Sequence, residues 1–128
     1  MQMYDPVGAV YKAVGEAPFY KLVDEFYLRV AADPLLRPMY PEDLTLPKKH
    51  LAQFLVQRTG GPTTYSDERG HPRMRGRHMP FKIGQAERDA WMKHMTEALD
   101  QVPELAENRQ ALWDFFDNFA TFMINQPG

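Results

Sequence analysis

Six side chains, Phe19, Leu22, Val23, Phe26, Tyr27 and Val30, recur at steps of three and four residues, the spacing that aligns them along one face of an α-helix. A stripe that wide has to be covered by other elements, so the chain must fold as helices packed through their apolar sides. Pro18 suits a first helical turn, and Asp33-Pro34 closes the segment because the residue before a proline is pushed out of the helical region. A shorter helix is expected before it, capped by Asp5, opened by Pro6 and edged by Val7, Val10, Tyr11 and Val14. Pro34, Pro38 and Pro41 then leave only turns around Leu35, Met39 and Tyr40.

A third helix is expected from Thr45-Leu46-Pro47, with Thr45 as its cap, through Leu51, Phe54 and Leu55 to Gly60-Gly61. Two long helices follow. One, near 85–101, carries Trp91, Met95, Ala98, Leu99 and Val102; the other, near 104–125, carries Leu105, Leu112, Phe115, Phe116, Phe119, Phe122 and Met123. No segment alternates as a strand would, and no linker or repeat divides the sequence. The expected fold is all-α, a single domain over residues 1–128.

Charge and composition then remove whole classes of function. Fifteen Lys and Arg against seventeen Asp and Glu give a net charge of −2, which does not suit a nucleic-acid surface. There is no cysteine, which excludes disulfides, thiolate metal centres and thiol catalysis. The four histidines, His50, His71, His78 and His94, are left as the strongest metal ligands. No apolar run is long enough for a membrane helix, and the start of the chain lacks the apolar segment of a signal peptide, so a cytoplasmic location is expected.

Residues 60–84 break the helical rhythm with five glycines and three prolines. A long irregular connection in a compact domain is usually functional or disordered, and the apolar and basic content here argues against disorder. Met74 and His78 can share one turn of a short helix that stops at Pro80, with Arg73, Arg75 and Arg77 alongside. Tyr27, Tyr40 and Trp91 fall on or near core-facing positions, where their polar tips need partners. Taken singly, these features read as a cation at a helix end, a solvated basic loop and ordinary core. Taken together they suit haem, a flat apolar disc with two carboxylates and an iron that needs an axial nitrogen.

Their order along the chain resembles the truncated globins, in the group II branch. The resemblance rests on Phe26-Tyr27-Leu28-Arg29-Val30, Tyr40-Pro41-Glu42-Asp43, Gln53-Phe54-Leu55, Gly60-Gly61-Pro62, Thr64-Tyr65-Ser66, the stretch from Arg69 to Phe81, and Glu87 to Trp91. It spans nearly the whole chain. It implies a short globin-like two-on-two helical sandwich around haem b, with the proximal-histidine helix largely replaced by loop.

By motif, the resemblance makes His78 the iron ligand, and Tyr27, Tyr40 and Trp91 the distal donors. Leu51 stands at the distal-helix position beside the ligand. Pro47 stands at the gate, where a small residue is usual in this branch. Cofactor contacts are expected from Tyr65, Arg77, Met74, Phe81, Leu51 and Phe54, with Arg73, Arg75 and His50 as further candidates for the propionates. His71, followed by Pro72, is expected to start a turn rather than ligate iron.

Such a site is expected to bind O2, CO, NO or peroxide. Two distal hydrogen bonds of roughly 1–3 kcal/mol each would slow O2 release by roughly 10²–10⁴-fold, which suits ligand chemistry or sensing better than bulk transport. An NO dioxygenase or peroxidase served by a reductase is the alternative, and a cofactor-free helical interaction domain a third. Monomer and homo-oligomer both remain open.

Overall fold

A computed structural model describes residues 5–127, and every regular element among them is helical. The α-helices are α1 (Val10–Val14), α2 (Ala17–Ala31), α3 (Thr45–Arg58), α4 (Thr64–Arg69), α5 (Met74–His78), α6 (Gln85–Asp100) and α7 (Arg109–Phe122), with 3₁₀ turns at Arg37–Met39 and Pro103–Asn108. Helix α2 packs on both α3 and α6, and α6 packs on α7, so two helical pairs form the sandwich expected. All six residues of the first stripe are buried.

Several ends differ from the sequence-based expectations, each for a local reason. Asp5 caps a turn, its carboxylate accepting the Val7 N–H at 3.3 Å, and helical geometry starts only at Val10. Thr45 is the first residue of α3 rather than its cap; Leu44 takes the cap position without a side-chain bond, and Asp43 just before it accepts the Thr45 N–H at 2.9 Å. The last long helix is split. Pro103–Asn108 winds as 3₁₀, whose three-residue repeat keeps Val102 and Leu105 on one buried face, and α7 begins at Arg109. Phe122 is 62% exposed rather than core, because it lies about 100° around the helix from buried Met123.

Gly60 joins α3 to the irregular segment with φ 101°, and a Cβ there would stand 2.3 Å from the Gly8 carbonyl oxygen. Only glycine meets both demands. At the other end of the sandwich, His94 of α6 bonds Asp33 through Nε2 at 2.6 Å and draws the Asp33 carboxyl below its usual range. Asp33 is the acceptor there, so Nε2 carries a proton. These contacts lie outside the cavity described next.

Candidate functional site

Helices α2, α3, α5 and α6 surround a cavity of about 280 Å³, lined by the ten side chains that the resemblance names as iron ligand, distal groups or principal cofactor contacts: Tyr27, Tyr40, Leu51, Phe54, Tyr65, Met74, Arg77, His78, Phe81 and Trp91. Met39, Pro41, Pro47, His50, Arg69 and Phe119 complete the lining. The walls are chiefly apolar and aromatic, with the polar groups gathered in three places.

The first is His78. Its Nδ1 lies 2.6 Å from the carbonyl oxygen of Met74, one turn back in α5. A carbonyl can only accept, so Nδ1 carries a proton, and in the neutral tautomer Nε2 keeps a bare lone pair. That is the tautomer an iron ligand needs, with the second ring nitrogen oriented by a backbone acceptor. Among the described residues no cluster of three or more His, Asp, Glu or Cys could hold a metal on its own. A lone imidazole nitrogen of this kind suits one bond to an ion that another group already holds.

The second place is the trio Tyr27, Tyr40 and Trp91. Phe26 and Tyr27 meet edge-to-face at 5.1 Å, Tyr27 and Tyr40 at 5.4 Å, and Trp91 leans on Phe26, Phe116 and Phe119 at 5.2, 5.8 and 5.9 Å. Burial raises the Tyr27 pKa, and its interaction with Tyr40 raises it further. Burial pushes Tyr40 up to about 12, while donation from Trp91 and Tyr27 to its hydroxyl opposes the shift. Both phenols therefore stay protonated, and the site gathers three neutral donor groups, the hydroxyls of Tyr27 and Tyr40 and the Trp91 indole N–H.

The third place is basic. Tyr65 is buried against Phe54, and the guanidinium groups of Arg69 and Arg77 each sit 5.8 Å from its ring centre. Arg69 also lies 3.0 and 2.9 Å from the two ring nitrogens of His50. Arginine only donates, so His50 is held neutral as an acceptor, and its pKa is lowered first by burial and then by Arg69. Arg77 donates from Nε to the Pro72 carbonyl at 2.7 Å and from one Nη to those of Arg69 (2.8 Å) and His71 (3.4 Å). These bonds hold the turn in which Arg73 takes the left-handed φ of 40°.

Two of the rival arginines point elsewhere. Arg75 donates to the carbonyls of Phe122 and Ile124, and Arg73 is exposed and outside the lining. His71 is exposed, likewise outside the lining, and supplies only its carbonyl to Arg77.

Arg69 and Phe119 are the contributors that sequence reasoning missed. Arg69 ends α4, a six-residue helix too short to show a period, although Pro62 before it and Gly70 after it bracket the element. Phe119 sits at the margin of the α7 stripe, half-buried, where its ring meets Phe54 of α3 and Trp91 of α6 at the cavity wall.

Comparison with known proteins places this geometry. A model of the family described as bacterial-like globin matches residues 9–125. Group 2 truncated hemoglobin YjbI of Bacillus subtilis (strain 168) is 45% identical over 118 residues, covering 92% of this chain and 89% of that protein. The structure of a thermostable hemoglobin from Thermobifida fusca superimposes with a TM-score of 0.90 at 48% identity, covering 94% of this chain and 99% of that one. That of a truncated oxygen-avid haemoglobin from Bacillus subtilis gives 0.87 at 44%, covering 91% and 99%.

Proposed function

From the premise that this chain belongs to the bacterial-like globin family, in its group II truncated haemoglobin branch, we propose that it is a haem b protein that binds O2 tightly, accepts CO and NO at the same place, and releases O2 slowly. Haem-based binding of diatomic ligands comes with the family. The observation that carries the finer reading is the concentration of polar groups in one apolar cavity: a histidine whose Nδ1 is bonded to a backbone carbonyl, and three phenol or indole donors. Haem, when bound, would supply the iron at which a diatomic ligand binds. His78 would hold that iron through Nε2, while Tyr27, Tyr40 and Trp91 would offer O–H and N–H groups to the ligand. Leu51, Phe54, Met74, Phe81 and Phe119 keep water from the disc. The oxygen avidity stated for the Bacillus subtilis relative agrees with slow release. Retention on that scale suits chemistry on the held ligand better than bulk transport.

Purified protein, or apo-protein mixed with haemin, should show a Soret band that moves on reduction under CO. A colourless protein that takes up no haemin would end this reading.

Arg77 and Tyr65 are assigned to the propionates, with Arg69 and His50 beside them. Carboxylates at the rim of an apolar cavity need cationic partners. Arg77→Ala should speed haem transfer to an acceptor apo-globin by about tenfold, the loss of one charge-assisted bond of ~1.4 kcal/mol. An unchanged transfer rate would remove Arg77 from the assignment and leave Arg69 as the cation to test.

A further inference from the structure

Helix α5 has five residues, none of them buried, so neither its length nor its packing is enough to hold it in place. The chain after α7 supplies what packing does not. Asn125 donates from Nδ2 to the carbonyl oxygens of His78 (3.3 Å) and Phe81 (2.8 Å), and its Oδ1 accepts the N–H of Ile83 at 2.9 Å. The main-chain N–H groups of Asn125 and Gln126 both reach the Ile83 carbonyl, at 2.8 and 3.2 Å. From the α5 side, Arg75 donates to the Phe122 carbonyl at 3.2 Å and the Ile124 carbonyl at 3.3 Å. The end of the chain thus grips the segment 75–83 at both ends, and one of its bonds falls on the backbone of His78 itself.

We propose that Asn125 is a positioning residue for the proximal histidine: its carboxamide fixes the last turn of α5 and, through it, the direction and tension of the His78 imidazole at the iron. The inference rests on the assignment of His78 as the axial ligand. The amide is suited to the task because one group meets two acceptors and one donor at once. Two carbonyls require the NH2 and an N–H requires the oxygen, so the orientation of the amide is set by its partners. Replacing NH2 by a carboxylate oxygen would set it against two carbonyl oxygens while keeping the bond to Ile83.

The test uses the intact haem-loaded protein. The iron–histidine stretching band of the ferrous, five-coordinate form is read by resonance Raman in the parent, Asn125→Ala, Asn125→Asp and Leu105→Ala. Leu105 is fully buried outside the cavity lining, so Leu105→Ala controls for general loss of stability. Asn125→Ala and Asn125→Asp are expected to shift or broaden the band and to speed haem transfer on the order of fivefold, as one lost hydrogen bond would. Leu105→Ala should leave the band in place even if its melting temperature falls further.

A band unmoved in both Asn125 variants, or moved equally by Leu105→Ala, overturns the proposal. His78→Gly separates the two readings. If the band survives His78→Gly, the ligand assignment falls and takes the positioning role with it. If it is lost there yet unmoved in Asn125→Ala, the positioning role falls alone.

Discussion

His78→Gly is expected to lower haem affinity by about 100-fold or more, since it removes the single bond between protein and iron, and added imidazole is expected to restore a five-coordinate ferrous spectrum. Each of the other histidines is committed elsewhere. His94 is bound to Asp33 and lies outside the cavity lining; His71 is exposed and also outside it. His50 does line the cavity, but both its nitrogens face Arg69.

His78 alone combines a place in the cavity with a fixed tautomer, the 2.6 Å contact to Met74 leaving Nε2 free to ligate. Imidazole rescue separates a lost ligand from a collapsed fold, because a misfolded apo-protein would not regain the spectrum. The measurement is a haemin titration with and without imidazole on His78→Gly, His50→Ala and His71→Ala. If His50→Ala or His71→Ala abolished the ferrous spectrum while His78→Gly kept it, the axial assignment would be wrong.

The legibility of this molecule divides along the length of its elements. The stripe from Phe19 to Val30 spans three turns, enough for the period to declare itself, and all of it is buried. Helices α4 and α5 have six and five residues, below the window in which a period can be read, so the segment 60–84 shows only its breaks in sequence. Arg69, at the end of α4, is hidden for the same reason. The grip of Asn125 on the α5–α6 connection is hidden for another: it falls on backbone carbonyls and an N–H, which leave no mark in a sequence.

The site was legible by a different route. Tyr27, Phe54 and Trp91 sit in apolar stripes, and periodicity reads them as core. That is correct as packing but silent on the cavity they share. Motif order, rather than spacing on a helix, drew them together with His78 and Tyr65. The start of α3 shows the same limit: Thr45 reads as a good cap, but the helix opens one residue earlier, with Asp43 bonding the Thr45 N–H across Leu44.

Trp91→Phe is expected to raise the O2 dissociation rate by about tenfold or more, matching the loss of one bond of at least ~1.4 kcal/mol. Phenylalanine keeps an aromatic ring against Phe26, Phe116 and Phe119, so the substitution chiefly removes the indole N–H. That group donates and never accepts, and nothing else in the trio can replace it in kind. The tyrosines differ. The two tyrosine rings meet edge-to-face at 5.4 Å, and either hydroxyl can rotate to offer its proton to a ligand. Without Tyr27, Tyr40 still has its own proton to give. Tyr27→Phe should therefore release O2 almost as slowly as the parent does, and the two substitutions together should depart from additivity, because their donors serve one bound ligand. Stopped-flow displacement of O2 by CO, run on the parent, both single variants and the double variant, measures the coupling directly. CO accepts hydrogen bonds weakly, so its own dissociation should change far less than that of O2. If Trp91→Phe releases O2 within a factor of two of the parent, the indole serves only to pack against its three phenylalanine neighbours, and the distal donor must be sought in Tyr40.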